Sequence, residues 1–199
     1  MGSSRTRSLR SRKAPNLSLV LLTEIVGLGL IGHSTNCLLV TLNTIGTEKT
    51  ETEKLAPGWG LAHLFLGAMM VITGVTAFVT NAMGDAAVSG YAGIALTYFG
   101  FFWIFLGTVL IRALDLRPVA HISVPYAVTD LWFIAGSIKL GLTSLTILLV
   151  VLIPVFILLW PATHGRASFL KVNAYLLIID AALGFYLAFG LIFPKYPLA

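Results

Sequence analysis

GWGLAHLFLGAMMVITGVTAFVTNAMGDAAVSGYAGIALTYFGFFWIFLGTVLI, Gly58 to Ile111, holds two apolar runs in which glycine returns every seven residues: Gly60, Gly67 and Gly74, then Gly93, Gly100 and Gly107. Seven residues are close to two helical turns. Each trio therefore falls on one face and leaves a groove along which a neighbouring backbone can approach closely. Both runs are too long and too apolar for surface helices, so they read as membrane helices with helix-packing stripes. Ala174, Ala181 and Ala188 repeat the spacing near the C-terminus.

The composition agrees. Hydrophobic residues make up 57% of the 199, charged residues 11%, and mean hydropathy is +0.92, against roughly 25% charged in a soluble domain. Several apolar stretches of about 20 residues are each long enough to cross a hydrocarbon core of about 30 Å. The chain reads as an all-α integral membrane protein. Its net charge of +5 rests on Arg5, Arg7, Arg10, Arg12 and Lys13, clustered before the first apolar stretch. That is a topology signal rather than a nucleic-acid footprint. The one cysteine, Cys37, lies inside the first span, so neither an intrachain disulfide nor a cysteine-based metal site is expected.

The order along the chain is a disordered basic tail over 1–15 and then one six-helix transmembrane domain over 16–199. The expected spans are Asn16 to Ile45, Gly58 to Thr80, Tyr91 to Leu114, Val119 to Gly136, Leu142 to Trp160 and Val172 to Phe193. The first exceeds the 7–15-residue apolar core of a signal peptide and has no clear cleavage site, so it is read as retained. Gly46 to Pro57, GTEKTETEKLAP, reads as a solvated loop, and Asn81 to Gly90 as a turn. Pro125 and Pro154 should bend their helices, and Pro161 should stop the fifth. Six spans put both termini on one side, which the N-terminal bases make cytoplasmic. Counting all bases, that side holds 7 and the other 6, so orientation rests on the tail.

Ionisable and amide side chains inside a span are costly and mark pathways or pairing. Glu24, His33, Asn36 and Asn43 fall in the first span, His63 in the second, Asp130 in the fourth and Asp180 in the sixth. A proton-coupled transporter needs a group that changes protonation as solute passes, and Asp180 and His33 are the candidates. A static hydrogen bond is an equal reading for Asp180. Pairing near the interface is favoured for Glu24, helix knitting beside Thr129 for Asp130, and an interfacial hydrogen-bonded histidine for His63. The third span is crowded with rings, including Tyr98, Phe99, Phe102 and Trp103. Most such rings pack or face lipid, although one at a narrow point can form a hydrophobic constriction.

Gly27 to Gly32 spells G-x-G-x-x-G, but inside a membrane helix with no preceding strand it is packing glycine and not a dinucleotide site. No metalloprotease, paired-carboxylate or Ser-His-Asp pattern occurs with supporting context. An enzyme is not expected, nor a cofactor or metal.

Four segments carry a family resemblance: Leu28 to Gly46, LGLIGHSTNCLLVTLNTIG; Gly58 to Gly67, GWGLAHLFLG; Ile94 to Trp103, IALTYFGFFW; and Lys171 to Gly190, KVNAYLLIIDAALGFYLAFG. They resemble the first, second, third and last helices of the acetate uptake transporter family, six-helix proteins that move acetate or succinate, generally with protons. The family's Asn-Pro-Ala-Pro-Leu-Gly-Leu signature is reduced here to Gly27-Leu28-Gly29-Leu30. By the motif match His33 stands where the family has a constriction phenylalanine, and Phe99 where it has a tyrosine. Tyr91 to Pro118 and Tyr175 to Leu183 also resemble the acid-gated urea channel and amide transporter family, with an acidic residue in the position of Asp180. Both families imply a six-helix protomer assembled as a ring of six.

The resulting expectation is a multi-pass protein of the cell membrane, a homo-oligomer, with a pore in each protomer for a small monocarboxylate such as acetate moved with protons. His33, Asn36, Phe99 and Trp103 would line the pathway and constriction, and Asp180, with His63, Asp130 and Glu24, would relay protons or pair within the membrane. The alternatives are a passive urea or short-amide channel and a non-transporting subunit of a membrane complex.

Overall fold

The computed structural model describes residues 17–46 and 49–193, with side chains over 23–46 and 54–193. The basic tail expected over 1–15 lies outside the described residues. Among those described there are six helices and no strand: α1 Leu17–Ile45, α2 Lys49–Thr80, α3 Ala86–Ile111, α4 Arg117–Lys139, α5 Thr143–Thr163 and α6 Ser168–Ile192. Five are long and apolar enough to cross a membrane. The exception, α4, carries Arg117, His121, Asp130 and Lys139, which lowers its hydropathy. Its 23 residues nonetheless reach about 34 Å at 1.5 Å per residue, and Val128, Leu131 and Trp132 point outward.

Several boundaries differ from the sequence reading. The charged stretch taken as a solvated loop is instead the start of α2, which begins at Lys49 and continues through Pro57. Its lysines and glutamates are good helix formers, and Lys49 with Glu53 and Glu51 with Lys54 have helical pair spacing. α3 starts at Ala86 rather than Tyr91, because the Asp85 carboxylate accepts from the backbone N–H groups of Ala87 and Val88 and so caps the helix. α6 begins four residues early, at Ser168. Pro161 does not stop α5, since its ring removes only one donor; the helix runs to Thr163 and ends before Gly165, whose φ of +93° suits glycine.

The helices form a ring. α2 packs most extensively on α3, α1 on α6 and α4 on α5; α1–α2 and α5–α6 contacts join these pairs, and lighter α3–α4 contacts close the circle. The two glycine stripes face each other in antiparallel register. A Cβ added to Gly60 would lie 2.7 Å from the Gly107 carbonyl oxygen, one on Gly67 2.8 Å from that of Gly100, and one on Gly74 2.7 Å from that of Gly93. The reverse substitutions meet the reverse carbonyls at 2.6 to 2.9 Å. With little hydrophobic drive between helices in lipid, such backbone proximity is a main source of attraction.

The alanine stripe of α6 serves α1 in the same way. Ala174, Ala181 and Ala188 are buried; Thr41 Oγ1 donates to the Ala174 carbonyl at 3.0 Å, and Gly27 sits against the Ala188 carbonyl. Gly184 on α6 leaves room for the Ser34 hydroxyl. This close α1–α6 contact brings the polar face of α1 onto the one acidic residue of α6.

Candidate functional site

His33, Cys37 and Thr41 are four residues apart on α1 and therefore share a face. That face lies on α6 at Asp180. His33 Nε2 is 2.7 Å from Asp180 Oδ2, and the Cys37 thiol donates to the same oxygen at 3.1 Å. From α3, Trp103 Nε1–H donates to His33 Nδ1 at 3.3 Å. A donor can meet only a bare nitrogen, so the imidazole hydrogen resides on Nε2 and is given to the carboxylate. His33 and Asp180 are both buried.

A second polar pair lies on the other side of Trp103. His63 stacks on the indole with centroids 5.5 Å apart and planes 13° from parallel, and its Nδ1–H donates to Asn36 Oδ1 at 2.7 Å. Among the described residues Asn36 Nδ2 and His63 Nε2 have no hydrogen-bond partner, which leaves a donor and an acceptor inside the bundle. His63 is fully buried and hydrogen-bonded, and it lies well inside α2, which starts at Lys49.

A cavity of about 470 Å³ leads to this cluster. It is lined by the N-terminal half of α1, the first halves of α3 and α5, the last turns of α6 and the α2–α3 and α4–α5 turns, and so occupies the end of the bundle where α1 begins and α6 ends. Its walls are almost wholly apolar, with Leu30, Met70, Leu96, Leu149 and Leu152 among them. The lining reaches the middle of the bundle at His33 and Phe99, each near the centre of its helix. Phe99 is buried, stacks on Phe156 at 6.1 Å and lies 6.3 Å from the His33 ring.

The remaining candidates are not in this cluster. The helix knitting expected of Asp130 is done by its neighbours: Tyr98 donates to Thr129 at 3.1 Å, Tyr126 to the Tyr98 carbonyl at 3.0 Å, and Tyr91 to the Phe133 carbonyl. Asp130 is fully buried, and neither of its carboxyl oxygens has a hydrogen-bond partner among the described residues. Glu24 is partly exposed in the first half of α1. The member that the sequence reading missed is Cys37, although its four-residue step from His33 was visible. The donor atoms of His33, Cys37 and Asp180 lie within 4.8 Å of one another. Two ligands on a tetrahedral zinc, each about 2.0 Å from it, stand roughly 3.3 Å apart. His33 and Asp180 are closer than that, so the trio is packed as a hydrogen-bonded cluster.

No protein-family model matches the chain, and no curated protein does. Among solved structures it is similar to one described as the bacterial acetate channel SatP, with a TM-score of 0.61 over 84% of this chain and 90% of that one. The chain has the SatP fold. The six-helix membrane bundle expected from the sequence is the one observed. SatP shares 21% of its residues with this chain, so the likeness establishes the fold, and chemistry must be argued from the residues present here.

Proposed function

We propose that the chain forms a membrane pathway for a small monocarboxylate such as acetate, moved together with protons. One observation carries this: an apolar cavity ends on a buried histidine whose far side is bonded to a carboxylate. An ionised acid is poorly solvated by such walls. It therefore travels as the neutral acid or meets a proton at the cavity floor. His33 and Phe99 form the constriction, Trp103 fixes the His33 ring, and the spare Asn36 amide offers a hydrogen bond to the carboxylate once past it. Asp180 holds or passes the proton through His33. The likeness to a protein described as an acetate channel supports the choice of solute. The resemblance in sequence adds assembly as a ring of six, and the basic tail adds cytoplasmic termini, so that the cavity opens inward.

Liposomes containing the purified protein, given labelled acetate or labelled urea with and without an inward proton gradient, test the reading. Accumulation of acetate driven by the gradient is the expected result. Urea equilibration without acetate accumulation would place the protein among passive amide channels, and flux of neither would make it a subunit of a larger complex.

A further inference from the structure

Resting on the carboxylate reading, we infer that the site selects for an alkyl chain, and that its preferred ligands are saturated monocarboxylic acids longer than acetate. Acetate has four heavy atoms and leaves most of a cavity of about 470 Å³ unfilled. Water in that remainder would face leucine, methionine, valine and alanine side chains with few polar partners, and such water is readily displaced by an apolar group. Polarity is confined to the two ends: His33 at the floor, and Thr143, Ser144 and Tyr186 on the outer helix ends. That distribution suits a molecule with one polar head and an unbranched apolar tail. The acid head lies at the His33 end, where the hydroxyl of a neutral acid competes with the Trp103 N–H for Nδ1 because Nε2 is given to Asp180, while the tail lies back along Leu30, Leu96, Leu149 and Leu152 toward the mouth. A dicarboxylate of similar length would place its second charged end against those same walls.

Each methylene buried is expected to tighten binding about fourfold, until the tail reaches the mouth and further carbons enter water. The test is displacement of labelled acetate and labelled hexanoate from the protein in nanodiscs by unlabelled acids of two to eight carbons, with empty nanodiscs subtracted. The expected result is an inhibition constant that falls about fourfold per carbon from acetate to hexanoate and then levels. Ala92 lines the cavity, and Ala92→Leu should bring the levelling one or two carbons earlier. Constants equal across the series, constants that rise with length, or hexanoate that fails to bind where acetate binds would overturn chain selection and leave the carboxylate reading standing. If no acid displaces either label while short amides bind, the carboxylate reading falls, and chain selection with it.

Discussion

His33 on α1 and Asp180 on α6 meet at 2.7 Å in the middle of the bundle, and Cys37 gives its thiol hydrogen to the same carboxylate oxygen. Two donors thus depend on one acceptor, in surroundings where water cannot replace it. Asp180→Ala is expected to cost about 1–3 kcal/mol, the penalty for leaving buried donors unpaired. Asp180→Asn keeps an acceptor oxygen and should recover most of it. Titration with dodecyl sulfate in mixed micelles reads the difference; equal stability of the two variants would show that the acceptor is not what holds the pair.

Trp103 and Asp180 together set the tautomer of His33, the indole donating to Nδ1 and the carboxylate accepting from Nε2. In the wild type the imidazole hydrogen should sit on Nε2 alone. Trp103→Phe keeps a ring against His63 but removes the donor, and should shift the Nδ1 signal toward that of a free acceptor nitrogen while Asp180 still holds the hydrogen on Nε2. Nitrogen-15 shifts of histidine-labelled protein report this, and identical shifts in wild type and variant would show that the indole does not orient the imidazole.

The facing glycines give a contrast within one helix. Gly67→Ala places a methyl 2.8 Å from a backbone oxygen that cannot move alone, and should destabilise by about 1–3 kcal/mol. Gly58, on the same helix, has nothing within 4 Å of the added carbon. Gly58→Ala should be neutral or stabilising by up to about 1 kcal/mol. Similar losses at both positions would mean that the stripe is not a packing surface.

Outside the spans, Arg117 Nε donates to Asp115 Oδ2 at 2.6 Å, and this hydrogen bond holds the Asp115 carboxyl below its ordinary range. A depressed folded-state value contributes stability above the unfolded value of about 3.9 and loses it as pH falls through the folded one. Both groups are exposed, so Asp115→Asn should have a barely measurable effect at pH 7 and none near pH 2. A large loss at neutral pH would mean that this turn is held by more than a surface pair.

How much of this was legible in the sequence follows from what each signal encodes. The seven-residue spacing of Gly60, Gly67 and Gly74 fixes a face, and the face was read correctly; that Gly107, Gly100 and Gly93 are its partners is a property of the turn between the helices, whose geometry spacing does not carry. The start of α2 is not legible because alternating charge marks a solvated loop and a helix alike, Lys and Glu three or four apart also supporting a helix. Asp85 before Ala86 was a readable cap signal. His33 and Asp180 stood out because charge inside a span is rare, but their pairing across 147 residues needed the fold. Nothing in the sequence separates Asp130, buried without a hydrogen-bond partner among the described residues, from Asp180, which has two.

The decisive measurement is the pH dependence of labelled-acetate flux into liposomes, with flux into protein-free liposomes subtracted, for the wild type and Asp180→Asn side by side. If the proton passes through the His33–Asp180 pair, wild-type flux should rise at least about tenfold from pH 7.5 to pH 5.5, and the variant should stay within about twofold across the same range. Equal flux with the same pH profile in both proteins would contradict a proton role for the pair and leave it as a structural hydrogen bond.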